Sequence, residues 1–430
     1  MFVLTYTLTL RRTRMETSFQ NADYKVYGYR WVVLVAYMFI TAVNQMMWIT
    51  FAPITTDAVK FYNVSDLRIG MLSMIFMIVY LIISIPASWA IDTYGIRKGV
   101  GIGAILTGIF GMMRGVVSDN YTLVLLSQIG LAIGQPFLLN SITKVAARWF
   151  PLKERATAAG LGTLSMYIGI LAGMIATPYL VLSFGISKML YVNGLVAVIA
   201  TITFFILVRE KPATPPCSAD QEERALVVDG LKLIFRKRDF NRLMIIFFVG
   251  LGVFNAVTTW IEQILSPNGF TAVQAGLTGG LMIIGGIMGA LVIPLLSDYL
   301  RKRAVFIIIA LAGATLSLVG VTFATNYPLL LISGAAFGFF LLSSGPIGFQ
   351  YGAEITYPIS EGTSNGFLIL MGQASGIIFI FAMDSFKASG SGSMARPLEV
   401  LIVLMVVCFV ISLWLRESKL LSGKSDQAEQ

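Results

Sequence analysis

Asn44 and Trp48 lie one helical turn apart inside a long apolar run, and positions four apart stack on one helix face. An amide and an indole placed in this way offer hydrogen bonds and a π-face that attracts a cation. Tyr80, Gln135, Tyr167, Asn255 and Gln373 stand near the middle of other apolar runs, and Ser343 and Ser344 share a further one. Trp260 and Glu262 follow Asn255 toward the end of its run. No nucleophile, base and orienting group come together in the pattern. The chain has no histidine, which removes the commonest metal ligand and the commonest general acid–base group. Its two cysteines, Cys217 in a polar stretch and Cys408 in an apolar one, cannot hold zinc alone and are not placed for a disulfide. No catalytic residue, metal or cofactor is expected, and the chain does not read as an enzyme. Its chemistry is reversible recognition of a small molecule by neutral polar and aromatic groups.

The elements that must position these residues follow from composition. Of 430 residues 57% are apolar and 12% charged, too little polar surface to cover a globule in water. A soluble enzyme, a disordered chain and a fibrous protein are excluded. Roughly 20 apolar residues span a bilayer as a helix. Runs of that length fall at about residues 31–58, 69–91, 99–117, 121–144, 156–182 and 187–208. Six more fall at about 241–266, 272–296, 304–323, 327–350, 363–384 and 397–415. The runs are continuous rather than alternating, so they read as helices and not as barrel strands. The predicted architecture is all-α and polytopic, with twelve transmembrane helices in two six-helix halves. The units are a tail 1–29, a bundle 30–208, a linker 209–239, a bundle 240–416 and a tail 417–430.

The net charge of +9 sets orientation rather than a nucleic-acid partner. Twelve spans put both tails and the linker on one side. Only Lys60, Arg68, Arg114, Lys188, Lys387 and Arg396, six of the 31 Lys and Arg, fall toward the other. Positive charge gathers on the cytoplasmic side of membrane proteins, so both termini are expected there. The polar residues named above then share one depth, where transporters bind substrate. No Asp, Glu, Lys or Arg stands at the middle of any span, so no buried carboxylate is offered for proton coupling. Glu262, in the outer part of the seventh span, is the single candidate. A facilitated uniporter is the expected mode. The tripeptides Asn63-Val-Ser65 and Asn120-Tyr-Thr122 fall on predicted outer loops.

The halves repeat. Asp92-Thr-Tyr-Gly95-Ile-Arg97-Lys98 follows the second span, and Asp298-Tyr-Leu-Arg301-Lys302-Arg303 follows the eighth. An acid and a basic pair in a tight turn, once per half, resembles the loop signature of the major facilitator superfamily. Ser88 stands where that family usually has glycine, and the second copy lacks the glycine of the turn. In the family this loop helps hold a gate closed, which implies gate roles for Asp92, Arg97, Asp298 and Arg301. Helices 1, 4, 7 and 10 of that fold line the cavity.

A second stretch is more specific: Glu354-Ile-Thr-Tyr357-Pro358-Ile-Ser-Glu361-Gly362-Thr-Ser-Asn365-Gly366. It resembles the loop between helices 10 and 11 of the feline leukaemia virus subgroup C receptor-related (FLVCR) transporters. Asn44-Gln-Met-Met-Trp48-Ile and Gly134-Gln135 through Arg148-Trp149-Phe150 are similar to that family's helices 1 and 4. The family carries choline and ethanolamine and has been assigned haem export. Its choline site uses an Asn and Trp on helix 1, a Gln on helix 4 and a Tyr on helix 7. The resemblance implies a substrate site of Asn44, Trp48 and Gln135, with Asn255 in place of the tyrosine; Tyr80 and Gln373 join it by depth. Glu354 and Glu361 are expected to brace the inner gate against Arg97, Arg148 or Arg301. A choline-like cation is the favoured substrate of a monomeric transporter in the plasma membrane, its other partner the lipid bilayer. The alternatives are export of a haem-like or larger amphipathic molecule and a non-transporting membrane receptor.

Overall fold

The computed structural model describes residues 25–214, 216, 237–357, 361–388 and 392–417. Most of both expected tails and of the 209–239 linker, Cys217 included, lie outside the described residues.

Ten helices are long and apolar enough to cross a membrane. Two of them are too long for one crossing. Asp66–Val116 has 51 residues and Leu152–Leu207 has 56, more than twice what a bilayer needs. Each is interrupted by one glycine in an extended positive-φ conformation, Gly95 at φ 84° and Gly185 at φ 79°. That region is open in practice only to glycine. The chain turns back at each, so the ten helices make twelve spans. The remaining spans are Tyr29–Ile49, Tyr121–Leu139 continued by Ile142–Trp149, Arg238–Thr259, Ala272–Leu300, Arg303–Phe323, Tyr327–Thr356, Glu361–Ser385 and Ala395–Ser412.

Two spans differ from the sequence-based expectation. The first is not one helix to residue 58. It stops at Ile49, passes through a 3-10 turn at Ala52–Ile54 and resumes as Thr55–Tyr62. Pro53 has no N–H for the carbonyl of Ile49, so a regular helix cannot run through. The seventh ends at Thr259, and Trp260 turns the chain into a short helix, Ile261–Leu265.

Glycines set the packing. In lipid no hydrophobic force separates one apolar face from another, so close backbone approach decides which helices pair. Gly169 of span 5 sits on the Ala42 carbonyl of span 1, and Gly285 and Gly289 of span 8 sit on the Ala335 and Phe339 carbonyls of span 10. Between the halves, span 2 packs on span 11 and span 5 on span 8.

The two loop repeats turn the chain at corresponding positions with different residues and different backbone conformations. Arg301 stands where the first copy has Gly95, 206 positions earlier, and it takes a left-handed conformation, φ 53°. A side chain there costs about 1 kcal/mol. Arg301→Gly is therefore expected to raise stability by roughly that amount, read as a higher thermal midpoint of the detergent-solubilised protein.

Candidate functional site

By the orientation expected from charge, the end of the bundle that carries Tyr29 and Glu417 is termed inner and the opposite end outer. At the outer end the halves are joined. The Glu262 carboxylate accepts from the Thr56 N–H at 3.0 Å and from its hydroxyl at 2.9 Å. The Gln263 amide donates to Thr56 Oγ1 and Asp66 Oδ1, both at 3.2 Å. Lys387 pairs with Asp66 and donates to Gln263 at 3.0 Å. Beneath this latch Trp260, fully buried, donates from Nε1 to the Ile380 carbonyl at 3.1 Å. The tip of its ring lies against Gly70 of span 2. Gly276 and Gly280 of span 8 press on Met174 and Ile175 of span 5. All these contacts occupy the outer half of the spans. At the inner end, the bonds of Arg30, Ile96, Lys144, Lys237, Arg303 and Tyr351 each stay within one half.

The predicted site residues lie beneath this roof. Asn44 faces spans 3 and 4, with its amide donating to Thr107 Oγ1 at 3.1 Å and the Leu131 carbonyl at 3.3 Å. Its Oδ1 is buried without a partner. Gln135 is one turn on from Leu131 on span 4, and Tyr37 bonds the Leu138 carbonyl a further turn on. Asn44 and Gln135 thus belong to one seam between spans 1 and 4. No described residue bonds the Gln135 amide. Trp48 donates from Nε1 to the Ser73 carbonyl of span 2 at 3.1 Å, which sets the ring orientation. Met77, one turn below Ser73, meets Asn255 of span 7 over Gly376 of span 11: a Cβ at Gly376 would lie 2.6 Å from Met77 Sδ and 2.8 Å from Asn255 Nδ2. Asn255 donates to the Gly372 carbonyl at 3.3 Å. Gln373 follows in sequence, half-buried and unbonded among the described residues. A continuous set, Trp48, Ser73, Met77, Asn255 and Gly372, therefore crosses from one half to the other.

Tyr80 is placed differently. Its hydroxyl donates to Asn140 Oδ1 at 2.7 Å, and the Asn140 amide donates to the Ser84 and Ser88 hydroxyls at 3.0 Å each. This network ties span 2 to span 4. Ser88, the departure from the superfamily glycine, is one of its members.

The inner charged residues find their partners within their own halves. Asp92 accepts from Lys144 at 3.0 Å, not from Arg97. Asp298 pairs with Arg303, and Arg301 takes the left-handed position that ends the helix. Glu354 also takes Arg303, at 3.3 Å, a partner other than the Arg97, Arg148 or Arg301 expected for it. The side chain of Glu361 lies outside the described residues. Two carboxylates missed in the sequence complete the arrangement. Glu210 accepts from the N–H groups of Ile96 and Arg97 at 3.0 and 2.7 Å. Glu417 does the same for Arg303 and Val305 at 2.8 and 3.3 Å. Each caps the exposed N–H groups that open a helix, where a negative charge is favoured. The signal was in the repeat: Glu210 and Glu417 each follow the last span of a half.

The comparisons agree with this architecture. The profile of the Major Facilitator Superfamily matches residues 34–380. The chain is 31% identical over 392 residues to "Solute carrier family 49 member A3" of Xenopus tropicalis, covering 86% of this chain and 81% of that one. It is 30% identical over 383 residues to "Choline/ethanolamine transporter FLVCR1" of Felis catus, covering 84% and 68%. Among solved structures, a bacterial homolog of the human lysosomal transporter Spinster, inward-facing and unoccupied, matches with TM-score 0.74 at 16% identity over 90% of this chain and 98% of that one. An all-helical bundle of twelve spans, a repeated acid–base turn in each half and this degree of likeness place the chain in the major facilitator superfamily, among the FLVCR-related solute carriers.

Proposed function

We propose that this protein moves a small organic cation of the choline or ethanolamine type across the plasma membrane by alternating access, as a monomeric facilitated uniporter with both termini in the cytoplasm. The observation that carries the reading is the uncharged run from Trp48 through Ser73 and Met77 to Asn255, which crosses between the halves beneath a joined outer end; Gln135 and Gln373 are assigned to it by depth. A neutral polar wall does not attract an anion. An indole ring held in orientation by its own N–H suits an ammonium group, which gains about 2 kcal/mol over a desolvated tryptophan face. The printed names of relatives as choline/ethanolamine transporters support the same substrate class. Exchange of the outer latch for an inner one, by rocking of one half on the other, would expose the pocket to each side in turn.

The test is uptake of labelled choline and ethanolamine into proteoliposomes. Trp48→Ala is expected to lower uptake by roughly 30-fold, the equivalent of the cation–π energy. An imposed pH gradient is expected to leave the rate unchanged, because no carboxylate stands at the pocket. Saturable uptake that survives Trp48→Ala, or that follows the gradient, overturns the pocket or the uniport respectively. Uptake of neither solute would mean that Asn255 has redefined the substrate.

A further inference from the structure

Arg114, at the outer end of span 3, is fully buried. Among the described residues no carboxylate oxygen lies within 4.0 Å of it, since the ion pairs of the outer end involve Lys387 and Asp66 instead. Leaving an isolated charge inside a membrane protein costs several kcal/mol. Something other than an acid compensates it. Its Nη1 donates to the Met47 carbonyl at 3.0 Å and to Gln128 Oε1 at 2.9 Å. Its Nη2 reaches Thr50 Oγ1 at 3.4 Å and Met47 Sδ at 2.9 Å. The guanidinium also stands over the Phe51 ring, 5.7 Å from its centre.

All but one of these partners belong to residues 47–51, where span 1 breaks. A helix end carries about half a negative charge and up to four carbonyls without internal partners. Pro53 removes the donor for the Ile49 carbonyl, and the guanidinium takes the Met47 carbonyl in the same last turn. The guanidinium meets the open end of the helix with the sign and the donors that it needs. Gln128, the remaining partner, donates in turn to the Leu72 carbonyl at 2.9 Å. Leu72 precedes Ser73, whose carbonyl holds the Trp48 indole. Trp48 is thereby fixed from both sides, through Met47 and through Ser73. Above the break, Thr56 carries the outer latch.

We propose that Arg114 is a positioning residue for transport: it caps the broken end of span 1, and so sets the Trp48 ring below the break and the latch segment Thr55–Tyr62 above it. Its part in transport rests on the function proposed above, whereas the capping does not and is read without substrate. Hydrogen exchange of the full chain in detergent is the measurement. In Arg114→Met, which keeps the bulk and removes the charge, amides of residues 50–57 are expected to exchange about tenfold faster, with the second half of the chain unchanged. Arg114→Lys, which keeps a cation, is expected to restore most of that protection. Gln128→Met, which removes one support of the guanidinium, is expected to give a smaller acceleration confined to the same segment, and it carries the test if Arg114→Met does not fold. Parent-like exchange at residues 50–57 in the folded Met variants, or equal acceleration in both halves, overturns the proposal. If the exchange changes as expected but choline uptake is missing from the parent protein too, the substrate is wrong and the capping stands.

Discussion

Gly70→Leu is expected to abolish transport while leaving the protein folded. A Cβ at position 70 would lie 2.6 Å from Cη2 and 2.7 Å from Cζ2 of Trp260. The indole has no room to retreat, because it is fully buried and its Nε1 is bonded to the Ile380 carbonyl. Gly70 belongs to one half and Trp260 to the other, so the clash opposes closure of the outer end and not the folding of either bundle. Overpacking of this kind costs about 3 kcal/mol, roughly a 100-fold loss of the closed state. Choline uptake should fall by a similar factor. A cysteine introduced at Gln263, which is buried in the closed latch, should react with an impermeant thiol reagent much faster in the Gly70→Leu background. Parent-like uptake would show that the two halves part at some other place.

Gly338→Ala is expected to have the largest effect on stability. A Cβ there would overlap the carbonyl oxygen of Met282 and lie 2.6 Å from its carbonyl carbon. Gly338 is in span 10 and Met282 in span 8, both inside one half, and the obstacle is backbone that cannot rotate away. The neighbouring Gly285 and Gly289 make the reciprocal approach from span 8, so the helices cannot separate at one point alone. A loss of about 3 kcal/mol or more follows, seen as a lower thermal midpoint and less monodisperse protein. Gly345 is the internal control. It lies on the same helix with nothing within 4 Å of a Cβ, so Gly345→Ala should be neutral or gain up to about 1 kcal/mol of helix propensity.

Part of the candidate site was legible before the fold. The depth of Asn44, Trp48, Gln135, Asn255 and Gln373 followed from their place at the middle of apolar runs, because rise per residue converts sequence position directly into depth. Direction was not visible. Asn44 turns its amide toward Thr107 and Leu131, and Tyr80 turns toward Asn140. A span apolar on all sides carries no periodic signal of which face meets a neighbour. The inner charges show the same division. Their repetition was legible, but not that Arg303 takes both Asp298 and Glu354 while Arg301 accepts a left-handed turn in the place of Gly95.

Arg114 marks the boundary most sharply. By position it was one of six basic residues toward the outer side. Only the fold shows it buried against the end of span 1 rather than in water. The amino-acid order by itself determined a membrane protein of twelve spans in two repeated halves, because backbone in lipid must bond within its own helix and a helix needs a set number of apolar residues to cross. Tertiary structure alone decided which spans meet, that the outer end is closed, and which charges serve as caps. In lipid all apolar faces are equivalent, so those choices rest on glycines that admit a neighbour's backbone and on polar atoms that find partners only after the helices have packed.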